Sequence, residues 1–114
     1  MAIVSAHGDE RSLPGGRIVR LISLQSINSA QALFAGDGTD GYQIVGGELD
    51  ISGAAAIEMK VGSVSKYYRN LGSAFVLGFD DELFIGCGAE ETLNIEASAD
   101  VDVDGYLILA PFRG

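Results

Sequence analysis

The chain has no tryptophan, one cysteine, one histidine and two prolines in 114 residues. Each shortage removes a class of function. With Cys87 alone, no disulfide can close within the chain, and the cross-linked framework of small secreted domains is excluded. With His7 alone and no cysteine cluster, zinc and redox metals lack ligands. A nucleophilic pair of Cys87 with His7 would require the N-terminal segment to fold back onto the body. The glycine pairs at 15–16 and 46–47 lack the lysine and hydroxyl that complete a phosphate loop. No uninterrupted apolar run approaches the length of a membrane span. The N-terminal "MAIVSAHGDERSLPGG" turns polar after a three-residue apolar run, too short for a signal-peptide core. These absences lead us to expect a soluble protein, made in or assembled from a reducing compartment, with no membrane partner and no catalytic residues.

Basic residues are scarce as well. Seven Lys and Arg face 16 acids, a formal net charge of −9. The imbalance is concentrated: residues 71–114 carry nine acids and only Arg113, whereas residues 1–70 carry seven acids and six basic groups. Such a field repels phosphate backbones, so nucleic acid is not an expected partner, and a basic surface is the better match.

What the chain does contain is apolar residues and glycine. A hydrophobic content of 47% with 16 glycines describes a folded, turn-rich domain, and the length allows one domain with a real core. Residues 1–16 show no helical repeat and read as an extended arm ordered by contact with a neighbour. Residues 17–114 read as the body. Strand-length segments punctuated by Gly, Asn or Asp follow at 17–24, 30–35, 42–45, 48–52, 55–61, 65–69, 74–79, 82–85, 92–97 and 101–110. The alanines of "GAAAIEMKVG" favour helix, but Ile57, Met59 and Val61 alternate with Glu58 and Lys60, and strand is the better reading. "LGFDDELFIG" resembles a hairpin, with Asp80 and Asp81 at the turn and Leu83 to Ile85 returning. The expected architecture is all-β: an antiparallel β-sandwich or jelly roll with an N-terminal arm.

The stretch "DVDVDG" poses the one metal question. Asp100, Asp102, Asp104 and Gly105 match the first half of a calcium loop, but position twelve is Pro111 and no flanking helices are expected. Strict alternation from Thr92 to Asp104 offers another account, in which the aspartates are the solvated face of a strand. Three carboxylates about 7 Å apart on one face repel, and a calcium ion at Asp100, Asp102 and Asp104 is the alternative. Beyond Gly105 the phase matters. A strand running straight through keeps Val103, Leu107 and Leu109 inside and places Tyr106 and Ile108 outside. A turn at Gly105 would still expose one of the two apolar pairs. Either way an apolar patch faces outward, and such patches mark interfaces. Tyr106, Ile108 and Phe112 are therefore the candidate contacts of a closed homo-oligomer.

Other candidates carry less. The acids at 80–82 and 90–91 sit in turns, where an exposed carboxylate has little acid or base power. Tyr67 and Tyr68, beside Lys66 and Arg69, are the only aromatic platform for a carbohydrate. Two tyrosines on opposite faces of a strand account for them equally well.

The C-terminal third, "LFIGCGAEETLNIEASADVDVDGYLILAPF", resembles the ending of small tailed-bacteriophage virion proteins: a Gly-rich strand, a T-L-N-I strand, a Ser-Ala turn and a V-x-V-x-G-x-L strand. The resemblance implies a head decoration (cement) protein on the capsid surface, often trimeric, made in the host cytoplasm and bound to the major capsid protein. It also implies an arm that grips neighbours, here with Ile3, Val4 and Leu13 as apolar contacts and Arg11, Arg17 and Arg20 pairing with acids on the shell. Main-chain pairing of the arm with a neighbour's sheet edge would supply affinity. The alternative is a calcium- or carbohydrate-binding jelly-roll module.

Overall fold

The computed structural model describes residues 10–80 and 84–112. Among them there is no α-helix, and ten strands follow in order: β1 (Glu10–Ser12), β2 (Ile18–Leu24), β3 (Gln31–Ala35), β4 (Gly41–Ile51), β5 (Ala55–Val61), β6 (Val64–Leu71), β7 (Phe75–Gly78), β8 (Gly86–Cys87), β9 (Thr92–Ala97) and β10 (Val103–Phe112). One sheet runs β1-β2-β10-β4-β7, with β8 also paired to β4, and the other runs β3-β9-β5-β6. Every pairing is antiparallel. The protein is the all-β antiparallel sandwich that the alternation predicts.

Period two builds the core. On β5, Ala55, Ile57 and Met59 are buried while Glu58 and Lys60 turn outward, and on β9 Leu93, Ile95 and Ala97 are buried beneath Asn94 and Glu96. These side chains meet Ile22, Leu49, Ile51, Leu77, Val103, Leu107 and Leu109 from the facing sheet in one cluster. Cys87 lies in the same cluster as a small apolar group, and burial pushes its thiol pKa up, which keeps it protonated.

The alternation over residues 92–104 is not one strand. It breaks at Ser98–Asp100, and β9 and β10 belong to opposite sheets. Parity survives the crossing because both strands face the same core. Ile27, fully buried between β2 and β3, plugs this end: its N–H donates to the Val101 carbonyl and its own carbonyl accepts from Ala97.

Three expectations need correction. The segments at 42–45 and 48–52 are one strand, β4. A bulge in its pairing with β10, where Ile108 faces Gly46 and Leu109 faces Ile44, absorbs the extra residue, and Gly47 adopts φ 109° there. The expected hairpin around Asp80 does not form. β7 and β8 run along the same edge of β4, tied at the gap by Phe79 N–H to Gly47 O and Ile44 N–H to Ile85 O. Phe79 and Ile85 are both buried, so core contact holds both segments to one edge of β4. Asp81, Glu82 and Leu83 lie outside the described residues.

The arm is the third correction. Residues 10–16 are part of the domain: β1 pairs with the chain's own β2, and a tight turn over Pro14–Gly16 reverses the chain, with Gly15 at φ 81° and Gly16 at φ 78°. Arg20 secures it. Its side chain is only 14% exposed, with Nη1 2.8 Å from Glu10 Oε2 on β1 and Nε donating at 2.6 Å to the Leu33 carbonyl of the opposite sheet. Arg20→Ala leaves both acceptors without a charged donor, and we expect it to lower unfolding free energy by about 1–3 kcal/mol in urea titration. Arg20→Lys should recover only part, since an ammonium cannot span both contacts as a guanidinium fork does.

Candidate functional site

The outward face of the larger sheet collects the candidate interface residues. β10 runs straight through Gly105. Tyr106 stands opposite Leu21 of β2 and Glu48 of β4, and Ile108 opposite Val19 and Gly46. Tyr106 is 38% exposed and Val19 and Ile108 are half-buried. Leu21 is decisive for this face. It is buried, yet it stands apart from the core cluster that takes in every other buried apolar side chain among the described residues. The sequence carries the signal in "RIVRLISL", where apolar residues do not alternate and both faces of β2 are therefore apolar. One end of this face is acidic, with Asp104 facing Asp50 and Ser23, and the β1 edge carries Arg11 opposite Val19.

The three aspartates do other work. Asp102 Oδ1 accepts from Ser26 N–H at 3.0 Å, its own N–H donates to Ser52 Oγ at 2.8 Å, and its carbonyl accepts from Ser52 N–H. Ser23 Oγ donates to Asp104 Oδ1 at 2.9 Å. Asp102 thus knits the β2–β3 and β4–β5 loops to the start of β10. Among the described residues no group of three or more His, Cys, Asp or Glu side chains is placed to hold a metal ion, so Asp100, Asp102 and Asp104 are not brought together as a calcium site.

The remaining predicted residues scatter. Arg11 and Arg17 are exposed and Leu13 is half-buried, while Ile3 and Val4 lie outside the described residues. Arg20 is occupied as described above, so it is not available to a partner as expected. Phe112 lies further along β10 in the same alternation as Tyr106 and Ile108 and leans on Phe84, ring centroids 6.4 Å apart. Tyr67 and Tyr68 divide: Tyr67 packs on the core against Phe79 at 5.7 Å, and Tyr68 is 63% exposed opposite Glu58. Beside Tyr68 lies a shallow groove of about 300 Å³ lined by Glu58, Glu96, Ala56 and Ser98. Lys60 sits 3.8 Å from Glu58 and 3.6 Å from Glu96, long exposed pairs of small energetic weight.

Two features carried no recognised signal in the sequence. The first is a cleft of about 240 Å³ beside β8, lined by Gln43, Lys66, Phe84, Cys87, Glu91 and Phe112 among others. Phe84 adopts φ 50° there, a conformation bulky residues rarely take. The second is the "GDGTDGY" turn before β4. Asp37 Oδ1 accepts from the N–H groups of Asp40 at 2.7 Å and Thr39 at 2.9 Å, and Oδ2 accepts from the Tyr42 hydroxyl at 3.0 Å. The backbone bonds, with the tyrosine's in support, hold the Asp37 carboxyl below its ordinary value of 3.8. In consequence the unfolded chain takes up this proton first as pH falls. The stability Asp37 contributes is whole above the ordinary carboxyl range and is lost as pH drops through it and below. Asp37→Asn should flatten the acid limb of a stability-against-pH curve, read by thermal melts, and should also soften the alkaline limb, because after burial the Asp37 carboxylate is what raises the Tyr42 hydroxyl's pKa.

No family model matches the chain, and no curated protein or solved structure matches it either.

Proposed function

We propose that the chain is a structural protein of a tailed-bacteriophage virion: a capsid decoration protein that binds the head shell as a homotrimer and stabilises it. The observation that carries this reading is the apolar outward face in the middle of the larger sheet, where Tyr106 is exposed and Val19 and Ile108 are half-buried around the already buried Leu21. An open sheet face of this kind is stable in water when another surface covers it. Acid at one end of the face and Arg11 at its edge favour head-to-tail packing of copies, the heterologous arrangement that closes into rings. A net charge of −9 suits adhesion to a basic surface. The resemblance of the C-terminal third to virion proteins supplies the setting, and the major capsid protein is the partner.

In this reading residues 1–9 reach the shell and Arg11 and Arg17 pair with its acids. The test is attachment to capsids lacking the protein. A chain without residues 1–9, which leaves β1 in place, and the pair Arg11→Glu with Arg17→Glu should both fail to attach while remaining trimeric. Raised salt should weaken attachment of the parent chain. Attachment equal to the parent in both variants would overturn the arm's role.

A second reading, a carbohydrate-binding module, is favoured by Tyr68 alone. An exposed ring beside the carboxylates of Glu58 and Glu96 offers a stacking surface with hydroxyl acceptors at its rim. Saturable binding of a neutral oligosaccharide that is lost in Tyr68→Ala would select it over the first.

A further inference from the structure

The cleft beside β8 unites irregularities that the fold does not explain. Gln43, on β4, lines it, and Gln43 Oε1 is the only buried side-chain oxygen or nitrogen without a hydrogen-bond partner among the described residues. A buried polar atom left unpaired is rare in folded proteins and calls for a partner. Phe84 lines the same cleft in the left-handed conformation, and the residue is 69% exposed to solvent. A bulky residue held in that region is strained, and such strain collects at binding and catalytic sites. Burial of the ring does not repay the strain, since the residue is mostly exposed. The rings of Phe84 and Phe112 lie 43° apart in plane and form an aromatic wall. Lys66 of β6 contributes a cation to the rim. The Glu91 side chain is committed to its own turn, its Oε1 accepting from Gly88 N–H at 2.6 Å.

We propose that this cleft is a binding site for a small planar aromatic anion that carries an N–H donor. The ligand's ring stacks on Phe84 and Phe112, its N–H donates to Gln43 Oε1, and its anionic group pairs with Lys66. A volume of about 240 Å³ holds a bicyclic ring and little more, below the range of about 300–1,000 Å³ usual for drug-sized ligands.

Indole-3-acetate has all three features, and the chain has no tryptophan, so the probe's indole fluorescence is read without protein background. Titrated with the whole protein, it should show a saturable rise in anisotropy with a dissociation constant of about 1 mM or tighter, the range expected of a ligand of that size. Phe84→Gly removes the ring and relieves the backbone strain together, so the variant should fold at least as well and bind about tenfold more weakly. Gln43→Leu should weaken binding by about the same factor. Lys66→Ala, an exposed change that leaves the fold alone, should erase the preference for indole-3-acetate over its neutral amide. The proposal is overturned if no saturable change appears up to about 10 mM, or if binding persists undiminished in Phe84→Gly or with the same acid preference in Lys66→Ala.

Discussion

Gly105→Ala should lower the unfolding free energy by at least about 3 kcal/mol, measured as the loss of denaturation midpoint in urea. Two causes act together. Gly105 lies in the middle of β10 at φ 152°, where a side chain is strained whatever the space around it, and a Cβ built there falls 2.1 Å from the Glu48 carbonyl oxygen of β4. The obstacle is backbone, so it cannot swing aside. β10 pairs on one side with β2 and on the other with β4, and relief of the clash would separate strands whose inward side chains, Val103 and Leu107, are fully buried. Gly78→Ala is the control, with open space at its Cβ and no positive φ, and should change stability by no more than about 0.5 kcal/mol. The glycine of "DVDVDG" is thus a requirement of strand packing. A calcium loop would place a turn at the same residue.

That stretch shows what can be read in advance and what cannot. Its alternation announces strand with an apolar underside, and β9 and β10 provide it. Where the chain changes sheets cannot be read, because apolar parity is the same for one long strand and for two strands facing one core across a crossover. The helix-favouring alanines of β5 lost to the alternation of Ile57 and Met59, since burial outweighs intrinsic propensity. The hairpin at Asp80 failed because local turn chemistry is silent about long-range partners: β4 offers a continuous edge, and β7 and β8 both take it. Arg20 was legible as a cation but not as a bridge, because its acceptors, Glu10 and the Leu33 carbonyl, are brought to it by the pairing of other strands. The cleft at Phe84 left no trace in periodicity. Its walls come from β4, β6, β8 and the end of β10, four segments far apart along the chain.

Tyr106→Glu should convert the proposed trimer to monomer at micromolar concentration while the far-ultraviolet spectrum of the sheet is retained. Tyr106 is partly exposed in the single chain, so a carboxylate there is solvated in the monomer and the domain folds. Packed against a neighbour's apolar face, the same carboxylate would be stripped of water without a partner. Loss of one partner of this kind at an interface costs about 2–5 kcal/mol, which weakens each contact by a factor of about 30 to several thousand. Ile108→Asp, one row along the same face, should act in the same direction. Phe112→Asp, four residues beyond Ile108 and in contact with Phe84, should act in the same direction and more weakly.

The proposal that the outward face of the larger sheet is covered by sister copies is tested most directly by light scattering on the purified whole chain. The account predicts a mass three times the 11.9 kDa of one chain, falling to the single-chain value in Tyr106→Glu. A mass of one chain for the parent protein, at concentrations up to about 100 μM where a biological contact of this kind would be saturated, would contradict it.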